Sequence, residues 1–154
     1  MTVHASCVAI GGKGVLLLGP SGAGKSDLAL RLIDEGARLV ADDRCELFLK
    51  RGRLHARAPA SIAGLIEIRG IGIVQTPHVE SAAVALAVRL GRPGPRLPPP
   101  QFYSPPAALA AARPVSLIMV NGRAASATAR IRWALTAFAQ DRFRDSFNPS
   151  PARR

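Results

Sequence analysis

The residues from Gly19 to Ser26 carry the strongest chemical signal in the sequence. They read Gly-Pro-Ser-Gly-Ala-Gly-Lys-Ser, which fits the spacing G-x-x-x-x-G-K-[ST] between an apolar run and a helix-like stretch. Glycines let backbone N–H groups converge on a phosphate, and the helix that follows adds its positive end. Lys25 supplies a charge for the phosphates, and the Ser26 hydroxyl is a ligand for Mg²⁺. The spacing predicts a site for a nucleoside triphosphate or a similar phosphate donor, held by Gly19, Pro20, Ser21, Gly22, Ala23, Gly24, Lys25 and Ser26.

Two adjacent carboxylates, Asp42 and Asp43, follow the apolar residues 39–41. Phosphoryl transfer requires a base for the attacking group and charge neutralisation around a metal ion, and acids at a strand end can supply both. Neighbouring residues on an extended strand point to opposite faces. One aspartate is therefore expected to address the phosphates and the other to point elsewhere, unless the strand ends there. The alternative is a solvated acidic pair at a turn, and the residues alone leave it open.

A carboxylate and a guanidinium, Glu67 and Arg69, interrupt the apolar stretch 65–74. Residues two apart on a strand share one face, and charges are costly to bury without partners. We therefore expect a functional face, with Glu67 on a metal ion and Arg69 on a phosphate. An exposed face with structural ion pairs is the alternative. His4 taken alone indicates little, because a lone histidine is more often a surface or core residue.

The elements that must position these residues follow from hydrophobic periodicity. Apolar runs predict short strands at residues 4–10, 15–18, 38–41, 45–49, 54–58, 65–74, 81–90 and 115–120. Helical spacing predicts one helix from Asp27 to about Glu35 and another over 127–143, with Trp133 expected in the core. The Pro-rich residues 91–106 predict an extended surface loop. The pattern indicates an α/β fold, a mixed sheet with the helix after the glycine-rich loop on one face.

Composition narrows the class of protein. A chain of 154 residues is about one domain, and no apolar run approaches the roughly 18 residues that cross a bilayer. The N-terminus lacks the features of a signal peptide, so we expect a cytoplasmic protein without membrane contact. Cys7 and Cys45 lack metal-ligand spacing and are expected to remain reduced. The net charge is +11, but the basic residues are scattered and not interleaved with aromatics, so nucleic-acid binding is not expected.

Taken together, these residues resemble the catalytic domain of HPr kinase/phosphorylase. The resemblance covers about residues 3–75 and is carried by His4, by residues 19–26, by Leu39-Val40-Ala41-Asp42-Asp43-Arg44 and by Leu65-Ile66-Glu67-Ile68-Arg69-Gly70-Ile71-Gly72-Ile73. It implies a P-loop domain similar to that of phosphoenolpyruvate carboxykinase, ending in a C-terminal helix. It also implies an ATP- and Mg²⁺-dependent serine kinase for HPr, the phosphocarrier of the phosphotransferase system, or for a related carrier. The family can reverse the modification by phosphorolysis and commonly forms a hexamer.

The resemblance also implies roles for individual residues. The nucleotide would lie on residues 19–26 and Mg²⁺ on Ser26 and Glu67, with His4 and Lys25 in the active site. One aspartate would be the base for the acceptor serine; the spacing from Lys25 favours Asp43, with Asp42 beside it. In a loose match, Arg96-Leu97-Pro98 would place a basic catalytic residue at Arg96. Residues 126–131 depart from the family's A-P-A-K pattern, so the kinase direction is implied more strongly than phosphorolysis.

The chain resembles a short form of the family that begins at the catalytic domain. We expect that domain to span residues 1–146 and residues 147–154 to form a frayed tail. Two other functions stay open on the residues alone. One is a non-catalytic regulator that senses ATP through the same loop, and the other is a small-molecule kinase.

Overall fold

The computed structural model describes residues 1–144, so the expected tail over 147–154 lies outside the described residues. The strands are β1 Thr2–His4, β2 Ser6–Ile10, β3 Lys13–Leu18, β4 Arg38–Ala41, β5 Arg44–Lys50, β6 Arg53–Arg57, β7 Leu65–Ile68, β8 Gly72–Gln75, β9 Ser81–Leu90 and β10 Leu117–Val120. The helices are α1 Lys25–Asp34 and α2 Ala127–Gln140, with single 3-10 turns at Ala60–Ile62 and Ala107–Leu109. Neither α-helix in the described part of the chain has the length and apolar character of a membrane span.

The long strand β9 organises the main sheet. The strand order is β1-β5-β6-β9-β3-β2-β4, with β10 also beside β9. The first residues of β9 pair with β6 antiparallel, and its later residues pair with β3 and β10 in parallel. Because parallel strands end at the same edge of a sheet, the loops that follow β3 and β10 are brought together. The predicted mixed sheet is confirmed, and its parallel centre positions the glycine-rich loop.

Both α-helices pack on one face of this sheet. Leu28 and Leu32 of α1 and Ile131 of α2 are fully buried there, and Leu135 is nearly so. The expectation that Trp133 lies in the core is wrong, because its side chain is 63% exposed. Residues four apart on a helix share a face, so the face that carries residues 131 and 135 turns position 133 outwards. The helix itself was predicted correctly.

The other face of the sheet buries a second core, which contains both cysteines. Cys7 and Cys45 are free thiols, as expected. Burial raises the pKa of Cys7 well above its usual value, and it raises the pKa of Cys45 to about 12. The reactive species of cysteine is the thiolate, so at neutral pH these two side chains are protonated core residues.

Two of the predicted strands are divided in the structure. The run 4–10 splits at Ala5 into β1, which pairs with β5, and β2, which pairs with β3 and β4. The run 65–74 is a hairpin of β7 and β8, which turns at residues 69–71 with Gly70 at φ 80°. A single strand would have placed Arg69 on the same face as Glu67. That expectation is wrong, because Arg69 lies in the turn. The Pro-rich stretch 91–106 contains neither a helix nor a strand and is confirmed as a loop.

Candidate active site

The glycine-rich loop forms the floor of the candidate site. It joins the end of β3 to the start of α1, and Gly22 and Gly24 adopt φ values of 84° and 95°, which favour glycine. The ammonium of Lys25 is almost fully buried and donates to the carbonyls of Gly19, at 2.7 Å, and Pro20, at 3.1 Å. These contacts fix a positive charge within the loop, beside the positive end of α1. A strand, a glycine-rich loop and the N-terminus of a helix thus follow one another here, which is the order of elements that the predicted phosphate-binding loop requires.

The carboxylate of Asp42 connects this loop to two further elements. Its Oδ1 accepts hydrogen bonds from the hydroxyls of Ser26, at 2.7 Å, and Ser6, at 3.2 Å. Its Oδ2 accepts from the backbone N–H of Glu67 at 3.3 Å. Asp42 thereby brings together α1, β2 and β7. The Ser26 hydroxyl is held against a carboxylate at the position where the sequence predicts a metal ligand.

Asp43 faces the same cleft from a strained backbone position. Strand β4 ends at Ala41, and Asp43 adopts φ 66°, a left-handed conformation that aspartate tolerates better than most residues. Its Oδ1 lies 3.0 Å from Nε2 of His4, and its backbone N–H donates to the Ser6 hydroxyl at 3.0 Å. Because the strand ends before the pair, both aspartates line the cleft, and the strand alternation that would separate them does not apply.

The cleft has a volume of about 620 Å³. Its lining combines loop residues with the predicted acids and Arg69, and it also includes Gly122 and Arg123 from the connection between β10 and α2. The structure therefore brings together the loop, both aspartates, Glu67 and Arg69, with His4 attached through Asp43. It does not bring in Arg96, which lines a separate groove of about 370 Å³ with Met119 and Arg130.

Sequence reasoning missed two residues at this site. Ser6 is fully buried and holds both aspartates, and a hydroxyl within the apolar run 5–10 was a signal for it. Arg123 donates from Nη2 to the carbonyl of Gly22 at 3.0 Å. These two residues are 101 positions apart in sequence, and no local pattern links them.

The oxygen ligands present suit Mg²⁺. The Ser26 hydroxyl and the Asp42 and Glu67 carboxylates are hard donors on one cleft. Within residues 1–144, no group of three or more His, Cys, Asp or Glu side chains is placed to hold a metal ion by itself. Mg²⁺ is usually bound through one or two carboxylates together with the phosphates of a substrate, and the cleft presents the Asp42 and Glu67 carboxylates beside the glycine-rich loop.

Comparison with known proteins identifies the family. The model of the HPr Serine kinase C-terminal domain matches residues 1–84, which is more than half of the chain. The chain belongs to this family. The HPr kinase/phosphorylase of Thermoanaerobacter sp. is 51% identical over 75 residues, which are 48% of this chain and 25% of that protein. The HPr kinase/phosphorylase of Lactobacillus acidophilus is 45% identical over 82 residues, 53% of this chain and 26% of that protein. The matches thus span about a quarter of the length of these curated relatives.

The solved structures extend this HPr kinase-type domain into the second half of the chain. The structure of the Hpr(Ser) kinase/phosphatase from Coxiella burnetii superposes with a TM-score of 0.76 at 28% identity. The match covers 92% of this chain and 98% of that one. The predicted P-loop kinase fold is confirmed, including the part that follows the family-model match.

In an HPr kinase-type domain of this geometry, the cleft separates two chemical tasks. Lys25, the loop N–H groups and Arg69 can bind phosphate oxygens, while the Asp43 carboxylate with its histidine partner can accept a proton. Asp42 and the Ser26 hydroxyl that it binds line the same cleft.

Proposed function

We propose that this chain is an ATP-dependent serine kinase that acts on HPr or a related phosphocarrier of the phosphotransferase system. The observation that supports it most is that the two adjacent aspartates have different side-chain partners in the same cleft. Asp43 is paired with His4 at 3.0 Å and Asp42 with Ser26 at 2.7 Å, both on the cleft that contains the phosphate-binding loop. A nucleotide-binding regulator has no need of a second carboxylate held by a histidine.

In the proposed reaction Asp43 acts as the general base. His4 occupies one carboxylate oxygen of Asp43 and so orients the other towards the hydroxyl of an incoming serine. As that oxygen forms its bond to the γ-phosphorus of ATP, the bond between the γ-phosphorus and the β–γ bridging oxygen breaks and ADP leaves. The serine proton passes to Asp43. In the phosphorolytic direction, an oxygen of inorganic phosphate would attack the phosphorus of the phosphoserine, the bond to the serine oxygen would break, and pyrophosphate would form. The Asp43 carboxyl group would return the proton to the serine oxygen.

The remaining residues would hold the phosphates and the metal ion. Lys25 and Arg69 would neutralise phosphate oxygens from two sides of the cleft, and the loop N–H groups would bind the β-phosphate. Ser26 and Glu67 would hold Mg²⁺, with Asp42 fixing the Ser26 hydroxyl. When bound, Mg²⁺ supplies charge neutralisation across the β- and γ-phosphates. Arg96 would contribute only if its loop moved to the cleft or a second subunit presented it.

The proposal extends to assembly and location. By the family resemblance the active form would be a homo-oligomer, a hexamer, built from a catalytic domain over residues 1–146. The reaction would take place in the cytoplasm, where ATP is available, with neither a membrane nor a nucleic acid as partner.

A direct transfer assay tests the proposed function. The protein is incubated with γ-labelled Mg-ATP and purified HPr, or with HPr-type carriers of other branches, and any phosphoserine is mapped by mass spectrometry. Serine-linked label on a carrier, absent with Lys25→Ala, is the expected result. Binding of ATP without transfer to any carrier would favour a non-catalytic regulator that senses ATP. Label on small molecules alone would favour a small-molecule kinase.

A further inference from the structure

Arg123 occupies a defined place above the phosphate-binding loop. It lies between β10 and α2, and its guanidinium lines the cleft while donating to the Gly22 carbonyl at 3.0 Å. Its own backbone N–H donates to the side chain of Asn121 at 3.0 Å. The connection from residue 121 to 126 is therefore attached to the loop by a side chain and is held in shape locally.

Two further contacts fix this connection, one with α1 and one with β9 and the glycine-rich loop. The guanidinium of Arg31 donates to the Gly122 carbonyl and is itself paired with Asp27 at 3.1 Å. A Cβ built on Gly122 would meet a methyl carbon of Leu90 at 3.3 Å, with the Ala23 carbonyl at 3.6 Å. The connection thus packs directly on the loop. Arg123 is presented from a rigid platform, which limits the entropy cost of using its side chain.

The hydrogen-bond donors of Arg123 that remain available in the cleft indicate what it can bind. Four carboxylates line the cleft with three cations, Lys25, Arg69 and Arg123. Lys25 already donates to two loop carbonyls, and Arg69 approaches from the hairpin turn. A guanidinium has five N–H donors in a planar fork, and the carbonyl of Gly22 takes one nitrogen of Arg123. The remaining donors match the oxygens of a phosphate group.

We propose that Arg123 binds the polyphosphate of the nucleoside triphosphate and closes the cleft over it from the β10–α2 side. This inference rests on the proposed function only in requiring a nucleotide on the loop. It assigns the second half of the chain a direct part in binding the substrate. The guanidinium keeps Gly22 in place and adds charge-assisted hydrogen bonds to phosphate oxygens, so its loss weakens binding more than it slows transfer.

The test measures nucleotide binding without any acceptor. Binding of an ATP analogue with a fluorescent group on the ribose is titrated for the wild type, Arg123→Ala, Arg123→Lys and Arg38→Ala. Arg38 is exposed at the start of β4 and serves as the matched loss of one positive charge. The expected results are a loss of affinity of about tenfold to a hundredfold for Arg123→Ala, an intermediate loss for Arg123→Lys, and no change for Arg38→Ala. Added guanidinium ion should restore part of the affinity of Arg123→Ala, compared with sodium ion at equal ionic strength.

Three outcomes would overturn the proposal. One is an affinity of Arg123→Ala equal to that of Arg38→Ala. Another is a loss that guanidinium ion fails to relieve and that accompanies a lower unfolding temperature without nucleotide, since that pattern marks a purely structural contact to Gly22. The third is a wild-type protein that binds no nucleotide, which would overturn the proposed function as well. A wild type that binds nucleotide but labels no carrier overturns the kinase alone.

Discussion

Asp43 is the residue on which the proposed chemistry depends most. Asp43→Asn keeps the size and the contact distance to His4, but an amide cannot accept the proton of a serine hydroxyl. We expect kcat for carrier phosphorylation to fall at least about a hundredfold, the usual contribution of a general base, while the KM for ATP changes little. Steady-state transfer of labelled phosphate gives both constants. Transfer at the native rate by Asp43→Asn would mean that Asp43 is not the general base. The variant Asp42→Asn, measured in parallel, would show whether Asp42 is the base instead.

Ser6 offers a prediction about stability at the same scale. Its buried hydroxyl donates to Asp42 and accepts from the backbone N–H of Asp43, so Ser6→Ala leaves that N–H without this partner. Loss of a part-buried hydrogen bond costs about 0.5–1.5 kcal/mol. We expect the free energy of unfolding, from urea denaturation, to fall by that amount. The exposed Ser81 at the start of β9 is the control. Equal midpoints for Ser6→Ala and Ser81→Ala would show that the hydroxyl contributes nothing to the fold.

At the scale of elements, what could be predicted follows from the range of the interactions. The loop, α1 and strands β3 to β6 depend on local spacing, and the sequence predicted them. The division of residues 4–10 depends on the different partners of β1 and β2. Strand β1 pairs with β5, 40–44 positions further along the chain, whereas β2 pairs with β3 and β4. The hairpin at 65–75 has a local cue, since Gly70 at φ 80° permits the turn, but the flanking apolar residues resemble one strand. The contact of Arg123 with the glycine-rich loop could not be predicted from local spacing, because it forms only when β3 and β10 both pair with β9.

Helix α2 provides a matched pair of substitutions within one element. Ile131 is fully buried, and Ile131→Ala should cost about 2–5 kcal/mol through lost burial and the cavity left behind. Trp133 is 63% exposed, so Trp133→Ala should change the free energy of unfolding by no more than about 0.5 kcal/mol. Denaturation of both variants in urea checks the difference. A larger loss for the tryptophan would mean that its exposed face is covered in solution, as in an assembly of several copies.

At the scale of the molecule, the parallel centre of the sheet explains how the two halves of the chain share one site. Strands β3 and β10 flank β9, and the loops after them meet at one edge. Hydrogen bonds of Asp42 with Ser6 and with the backbone N–H of Glu67 also hold β2 and β7 at this edge. Ligand binding at this point is therefore coupled to the unfolding of most of the domain. A site on a single peripheral hairpin would be coupled only to local opening.

This coupling predicts that nucleotide stabilises the whole domain. Mg-ATP at a hundred times its dissociation constant should add about 2.7 kcal/mol to the free energy of unfolding. For a domain of this size, that corresponds to a rise in Tm of about 5–10 °C. Calorimetry or tryptophan fluorescence with increasing Mg-ATP measures it, and chelating the Mg²⁺ with EDTA should reduce the rise. Lys25→Ala is the control, and each variant is compared with itself without nucleotide because Lys25 is nearly buried. An equal rise in Tm for wild type and Lys25→Ala would mean that ATP stabilises the protein from somewhere other than this loop.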